Sequence, residues 1–392
     1  MPSLARPGAS RLPRALPSLV SIVGTRPEAI KMAPVARALS RLPGLDHRIV
    51  LTGQHDGLDR YFDRAQSLSR LRFDPGGRSV ESLREALRAR LCGRFRRRRI
   101  DLVLVHGDTT SAAAGAFAAR DCAIALAHVE AGLRSFDLAQ PWPEEGHRVA
   151  IDALADLLFA PTEAAAGNLR RERRVTGRIL VTGNSGIDAL LRARSGLAAE
   201  APPAADGRRL ILVTCHRREN QGAPARAVCE ALKRAVAELP VRVVAPLHPN
   251  PPVRRAIERS LAGVDHIQLL EPLGYEAMIR LMASSWLILT DSGGLQEEAP
   301  ALGKPVLVLR NVTERPEALA AGSLELVGTD PGRIFAAVAG LLADEARYAR
   351  MARPAFPFGD GQASERIAGA IAEWLAERGP SRRPSGGWGP VG

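Results

Sequence analysis

WLILTDSGGLQEEAPALGKPVLVLRNVTERPEA, residues 286–318, carries the pattern of an open α/β sheet. Trp286–Thr290 is an apolar run of strand length and reads as a buried parallel strand. It stops at Asp291-Ser292-Gly293-Gly294, where a helix opens with Ser292 in the N-cap position. Two glycines let a ligand approach backbone N–H groups at the positive end of the helix dipole. Glu298 follows early in that helix, where a carboxylate could accept hydrogen bonds from a ribose diol. A second strand, Lys304–Leu309, then delivers Arg315 on the next loop. Strand, glycine turn, helix and strand make the repeating unit of an open α/β sheet, which binds ligands beyond its strand C-termini. A helix start, a diol-binding Glu and an Arg at one edge point to a nucleotide-diphosphate site. The plain alternative is that Ser-Gly-Gly only turns the chain from strand to helix.

The same alternation runs through the chain. Leu19–Val23, Arg48–Thr52, Ile100–His106, Ile124–His128, Leu157–Ala160 and Ile179–Thr182 read as one series of strands. Arg209–Thr214, Val241–Pro246, His266–Leu270, Leu287–Thr290, Pro305–Leu309 and Leu324–Val327 read as a second. Helices fit between them, including one opened by Pro143 and running to about Asp156. The spacing predicts an α/β protein of two Rossmann-like doubly wound domains facing across a cleft, at 19–185 and 186–360. A C-terminal helix at 361–378 would pack back on the first domain, with disordered ends at 1–18 and 379–392.

Composition narrows the function. At 392 residues, 46% hydrophobic and 24% charged, the chain has material for two full cores. Its net charge of +12 sits largely in the first 18 residues, in Arg94–Arg99 and in Arg378–Arg383. Aromatics are 4%, too few for a base-stacking platform, so nucleic acid is not the expected partner. No apolar run reaches a membrane span, and the basic start lacks the apolar core of a signal peptide. Cys92, Cys122, Cys215 and Cys229 show no CxxC spacing and read as reduced thiols of a cytoplasmic protein. Neither GxGxxG nor a GxxxxGK P-loop occurs, which disfavours a nicotinamide enzyme or an ATPase.

Polar motifs cluster after the strands. In GTRPEAIK (24–31), a glycine turns the chain into a helix carrying Arg26, placed to grip phosphate, and Lys31. HGDTTS (106–111) and HVEAGLR (128–134) follow apolar strands, so Asp108 and Glu130 emerge at one sheet edge. In PEEGHR (143–148), Glu144 and Arg148 stand at i, i+4 on one helix face. Three carboxylates converging on a cleft form a general acid/base set. TCHRREN (214–220) ends the first strand of the second domain, with His216 facing the cleft and His248 following the next strand. Cys215 alternates away from His216 and reads as buried packing.

Together these motifs resemble the non-hydrolysing UDP-N-acetylglucosamine 2-epimerases, of the glycosyltransferase-B-like group. From about Leu19 to Ile371 the chain carries GTRPEAIKMAPV, VHGDTTS, HVEAGLRS, PWPEEGHR, GNSGIDAL, TCHRREN, TDSGGLQEEAPALGKPVLV, TERPEA and GDGQAS in family order. The resemblance implies that Arg26, His216, Ser292, Gly293, Gly294, Glu298 and Arg315 bind UDP, with main chain near Leu273 and Met278 holding the uracil. Lys31, Asp108, Glu130, Glu144 and Arg148 would surround the sugar and carry the proton transfers, while His216 helps stabilise the departing diphosphate. The implied reaction interconverts UDP-GlcNAc and UDP-ManNAc through elimination of UDP to a 2-acetamidoglucal and its re-addition. It needs no metal or redox cofactor, and a homodimer is implied. A second, activating UDP-GlcNAc site would involve Gln54, Arg217 and His248. The chain departs from the family pattern at Asp56-Gly57-Leu58 after Gln54-His55, and at Gly146-His147, where a small residue and Asn are usual.

Four readings compete with this one. A UDP-sugar-dependent glycosyltransferase of the same fold would share the donor grip, and a hydrolysing epimerase would release ManNAc and UDP. A metallohydrolase could use His106, Asp108, His128, Glu130 and His216, although no HExxH spacing occurs. A sugar-nucleotide sensor would bind UDP without turnover.

Overall fold

The computed structural model describes residues 16–71, 76–196, 207–215, 220, 222–247, 251–313 and 315–378. The chain divides into two compact units, Met1–Thr182 with Gln362–Gly392, and Gly183–Gly361. The expected extension and tail lie almost wholly outside the described residues, as does most of the Ala/Pro-rich segment before residue 207.

In unit 1 the strands are β1 (Ser18–Val23), β2 (Asp46–Leu51), β3 (Ser67–Arg70), β4 (Leu102–His106), β5 (Ala125–Val129), β6 (Leu157–Ala160) and β7 (Arg178–Val181). They pair in parallel in the order β3-β2-β1-β4-β5-β6-β7. Helices α1 (Arg26–Ser40), α2 (Val80–Phe95), α3 (Thr110–Asp121), α4 (Glu144–Asp152) and α5 (Glu163–Arg171) cover the faces. Unit 2 has β8 (Arg209–Thr214), β9 (Val241–Pro246), β10 (Ile267–Leu270), β11 (Leu287–Thr290), β12 (Val306–Val308) and β13 (Leu324–Leu326). Their order is β10-β9-β8-β11-β12-β13, again parallel. Its helices are α6 (Ser185–Ser195), α7 (Ala223–Glu238), α8 (Pro251–Leu261), α9 (Tyr275–Ser284), α10 (Gly293–Ala301), α11 (Pro316–Ala320), α12 (Pro331–Ala343) and α13 (Glu345–Met351). Helix α14 (Ala363–Arg378) returns to unit 1 and lies against α1.

Burial on both faces explains why these strands read as continuous apolar runs. Leu19, Val23, Leu102 and Leu104 join one core with Met32, Val35 and Leu39 of α1 and Ile367 and Ile371 of α14. Val20, Ile22, Val103 and Val105 face the opposite side, among Leu87, Leu91 and the alanines of α3. Unit 2 repeats the arrangement, with Ile211 and Val213 on one face and Leu212 on the other. Period-2 alternation thus fills both cores from the same strands.

Two details differ from the sequence reading. Strand β3 (SLSR) has no buried residue and no apolar run, so pairing with Arg48–Leu51, not hydropathy, creates it. Helix α4 ends at Asp152, not near 156, because Leu154 N–H tightens onto the Ile151 carbonyl. Asp156 N–H then bonds to Leu126, drawing the chain into the sheet. No helix among the described residues is long and apolar enough to cross a membrane.

The strand order reverses direction between β1 and β4 in unit 1, and between β8 and β11 in unit 2. These are topological switch points, where open α/β sheets leave a crevice at the strand C-termini. The candidate residues follow β1 and β4 in one unit and β11 in the other.

Candidate active site

In unit 1, Val23 leads through Gly24 into α1, whose N-cap is Thr25 and whose capping box is closed by Glu28. A Cβ on Gly24 would stand 1.9 Å from Ser111 Oγ and 2.7 Å from Thr52 Oγ1, so only glycine lets the turn pack there. Glu28 is fully buried and accepts from Gly24 N (2.9 Å), Thr25 N (2.6 Å) and the Thr109 hydroxyl (2.6 Å). Burial pushes its carboxyl up to about 7, with these hydrogen bonds opposing the rise. Arg26, half-buried at the first position of α1, donates its backbone N–H to His55 Nδ1 at 3.3 Å. Gln54 Oε1 accepts from Ser111 Oγ at 2.7 Å.

Asp108 and Glu130 follow the adjacent strands β4 and β5. Each carboxylate meets a cation. Arg148 donates to Asp108 Oδ2 at 2.5 Å, and Lys31 Nζ makes a close contact with Glu130 Oε2. His106 Nε2 lies 3.7 Å from the same Glu130 oxygen. Glu130 has φ +68°, a left-handed backbone conformation costing a non-glycine residue about 1–3 kcal/mol. Its neighbours enforce that turn: Ala131 N–H bonds to Phe159 O at 3.1 Å, and Gly132 N–H to Asp152 Oδ2 at 3.1 Å. A Cβ on Gly132 would meet the Ala165 carbonyl oxygen at 2.3 Å.

On α4, Arg148 turns to Asp108 and to Glu145 Oε2 (3.2 Å), not to Glu144 as i, i+4 spacing would allow. Glu145 is buried and accepts from the backbone N–H groups of Ser135 and Phe136, so it anchors the preceding loop. Glu144 Oε2 is buried and has no hydrogen-bond partner among the described residues. A carboxylate oxygen removed from water and left unmatched is ready to meet a donor on a bound molecule.

In unit 2, Ser292 is the N-cap of α10 and makes no side-chain cap bond, leaving first-turn N–H groups for a ligand. Its own N–H donates to Thr290 Oγ1 at 2.9 Å. The Arg315 guanidinium lies on Gly293, where a Cβ would stand 2.9 Å from Cζ. Glu297, 4% exposed, receives Arg315 Nη2 at 2.7 Å and Asn184 Nδ2 at 2.8 Å, fixing the guanidinium beside the helix start. Gly294 is open enough for a ligand to approach its backbone, its would-be Cβ meeting only Ser292 Oγ at 3.9 Å. Glu298 accepts from the Tyr275 hydroxyl at 3.1 Å. Burial first, and then the Glu298 charge, push the Tyr275 phenol well above its ordinary range, so it remains a donor. Leu273 stands in the loop before α9, whereas Met278 donates its N–H to Gly274 O within the helix.

A family model described as UDP-N-acetylglucosamine 2-epimerase matches residues 37–372. This chain belongs to the UDP-N-acetylglucosamine 2-epimerase family. It is 43% identical over 371 residues to the UDP-N-acetylglucosamine 2-epimerase of Escherichia coli K12, covering 90% of this chain and 98% of that one. The S. aureus MnaA–UDP structure superposes with TM-score 0.84 at 38% identity, covering 95% of this chain and 100% of that one. The Neisseria meningitidis UDP-GlcNAc 2-epimerase bound to UDP-GlcNAc gives TM-score 0.84 at 37% identity, covering 91% and 100%. The two parallel-sheet α/β domains are therefore those of the glycosyltransferase-B-like epimerases.

Within each unit of this family member some of the expected residues meet: Lys31 with Glu130 and Arg148 with Asp108 in one, Arg315 with Gly293 in the other. His216, Arg217 and His248 lie outside the described residues. Cys215, expected to be buried packing, is partly buried and packs against the core on one face of the unit 2 sheet. Burial and the nearby Asp291 raise its thiol above the ordinary range, so it is not a thiolate nucleophile. Both His128 nitrogens are engaged, by Asp152 Oδ1 at 2.6 Å and Gly107 O at 2.8 Å, so this ring has no nitrogen left for a metal. Glu28, Glu145, Asp152, Tyr275 and Glu297 were not singled out from sequence, and His147 only as a departure from the family pattern. The signal for Glu28 lay in the Thr-Arg-Pro-Glu capping-box spacing.

Proposed function

We propose that this chain interconverts UDP-GlcNAc and UDP-ManNAc without net hydrolysis. The observation that carries the reading is the carboxylate set of unit 1: two acids on neighbouring strand ends, each with its own cation, and a third with a buried oxygen awaiting a donor. A glycosyltransferase that only polarises a donor phosphate has no use for three such acids.

In the forward direction a carboxylate of this set removes the sugar C2 proton as the C1–oxygen bond to UDP breaks. The electron pair forms the C1=C2 bond of 2-acetamidoglucal, and UDP leaves with the bonding electrons. Re-addition of the UDP oxygen at C1, with a proton delivered to C2 from the other face, inverts that centre. Arg26, Arg315 and the open N–H groups of α10 stabilise the departing diphosphate by charge and aligned donors. Lys31 pairs with Glu130 and Arg148 with Asp108, so each acid is oriented by its own cation. Glu298, oriented by Tyr275, accepts from the ribose diol, and main chain near Leu273 and Met278 holds the uracil. His216 joins the leaving-group donors, and Gln54, Arg217 and His248 form an activating UDP-GlcNAc site. The proposal includes a homodimer in the cytoplasm, which sedimentation at working concentration checks.

NMR of the products from UDP-GlcNAc tests the reading. UDP-ManNAc at equilibrium with substrate is expected. Free ManNAc with UDP would identify a hydrolysing enzyme instead, and an unchanged substrate would remove the activity altogether.

A further inference from the structure

The loop Gly107-Asp108-Thr109 is held at every residue by a buried polar group from another element. His128 Nε2 donates to the Gly107 carbonyl at 2.8 Å, and His147 Nδ1 donates to the Asp108 carbonyl at 2.9 Å. Arg148 takes the Asp108 carboxylate at 2.5 Å, and Glu28 takes the Thr109 hydroxyl at 2.6 Å. Two histidines thus grip consecutive carbonyls on the segment that carries a candidate base. They are 0% and 4% exposed, respectively.

We infer that His128 and His147 are positioning residues for Asp108, the two imidazoles fixing its main chain while Arg148 fixes its carboxylate. The inference rests on the epimerase reading above and gives both histidines a role in it that neither the motifs nor the comparisons assign. Hydrogen-bond chemistry sets each ring's protonation. A carbonyl oxygen only accepts, so His128 Nε2 and His147 Nδ1 must both carry protons. The other His128 nitrogen faces Asp152, a fully buried carboxylate that also takes Arg134 Nη1 at 2.7 Å and Gly132 N–H at 3.1 Å. Burial alone would raise Asp152, but His128 and Arg134 outweigh it and hold it below the ordinary range, so it stays an acceptor. Asp152 accepts on the Nδ1 side of His128 and fastens the Glu130 turn through Gly132. One buried group reaches both candidate acids. His147 is different. Burial lowers its affinity for a second proton, so the neutral ring carries its single proton on Nδ1. Its Nε2 is buried and has no partner among the described residues.

This arrangement matters because proton abstraction is sensitive to placement: an error of about 1 Å can cost about 10²-fold in rate. Removing a carbonyl's donor frees Asp108 to drift while the UDP-binding residues of unit 2 are untouched. His147→Asn and His147→Leu separate positioning from packing. An Asn side-chain N–H occupies much the same place as imidazole Nδ1, whereas Leu fills the space without a donor. We expect kcat with UDP-GlcNAc to fall about 10- to 100-fold in His147→Leu and to recover within about fivefold of wild type in His147→Asn. KM and the UDP Kd stay within about threefold in both. Equal kcat in wild type and His147→Leu, or equal loss in the two variants, overturns the inference. Should the Leu variant fail to fold, ¹⁵N imidazole spectra of the wild-type protein decide the matter, with His147→Asn assigning the signal. A neutral ring protonated on Nδ1 supports the arrangement, and an Nε2–H tautomer overturns it. Wild-type turnover of UDP-GlcNAc is measured first: its absence removes the epimerase reading itself, whereas wild-type turnover with a fully active His147→Leu removes only this inference.

Discussion

Unit 1 and unit 2 present their candidate residues by different physical means. The acids of unit 1 are held by side chains, namely the Lys31–Glu130 and Arg148–Asp108 pairs and the His128–Asp152–Arg134 cluster. The unit 2 site rests on backbone instead: a helix start at Ser292, a glycine that admits the Arg315 guanidinium, and one buried carboxylate behind it. The difference follows from the two tasks. A group that moves a proton must be fixed in both place and ionisation, which takes directional partners on several sides. An anion grip requires only donors at the right spacing, which a helix N-terminus supplies.

If this division is right, mutations should separate catalysis from binding by unit. Asp108→Asn and Glu130→Gln carry the largest expected effect, a loss of about 10²- to 10⁴-fold in kcat with UDP affinity within about threefold. Steady-state kinetics beside calorimetry of UDP would show it, and a parallel loss of affinity would break the comparison. Next comes Gly293→Ala, whose new methyl would displace the guanidinium 2.9 Å away. UDP binding should weaken by about 10- to 100-fold, the range of a lost charged hydrogen bond, while the unit 1 acids keep their partners. Unchanged UDP affinity would show that Arg315 does not act there.

Glu28 sharpens the contrast through stability. Its folded carboxyl sits at about 7 against an ordinary 4.5, so the folded chain holds that proton more tightly. Its contribution is fully present below pH 4.5 and is lost as pH rises toward 7, an upper bound on the order of 3 kcal/mol. The melting temperature of wild type relative to Glu28→Gln should fall across that window; parallel curves would mean that Glu28 is not buried as described. The smallest effect belongs to Tyr275→Phe. It removes the 3.1 Å bond to Glu298 and should weaken UDP by about 2- to 10-fold with kcat nearly unchanged. An effect on kcat without one on affinity would move Tyr275 out of the grip.

Much of this was legible in sequence for a physical reason. Strands buried on both faces must be apolar throughout, and glycine turns follow them where a sheet edge carries a site, so β1, β4, β5 and β11 declared themselves. Strand β3 did not, because an exposed edge strand has no hydropathy to read. The carboxylates were visible as residue types, but their partners were not. In Glu144-Glu145 the sequence cannot tell which acid is anchored to backbone and which keeps a buried free oxygen; the fold makes Glu145 the anchor. Likewise Asp152 is 24 residues from His128, and only the packing of α4 against the β5 turn joins them. Glu297 is another such case, an acid beside the noticed Glu298 whose role appears only when Arg315 folds onto it.

Exchange of the sugar C2 proton by the unit 1 acids is read out by turnover of UDP-GlcNAc in heavy water followed by NMR. Deuterium is expected at C2 of both UDP-ManNAc and recovered UDP-GlcNAc, and is expected to fall with kcat in Asp108→Asn and Glu130→Gln. Sugar turnover or transfer with C2 fully protonated would contradict it.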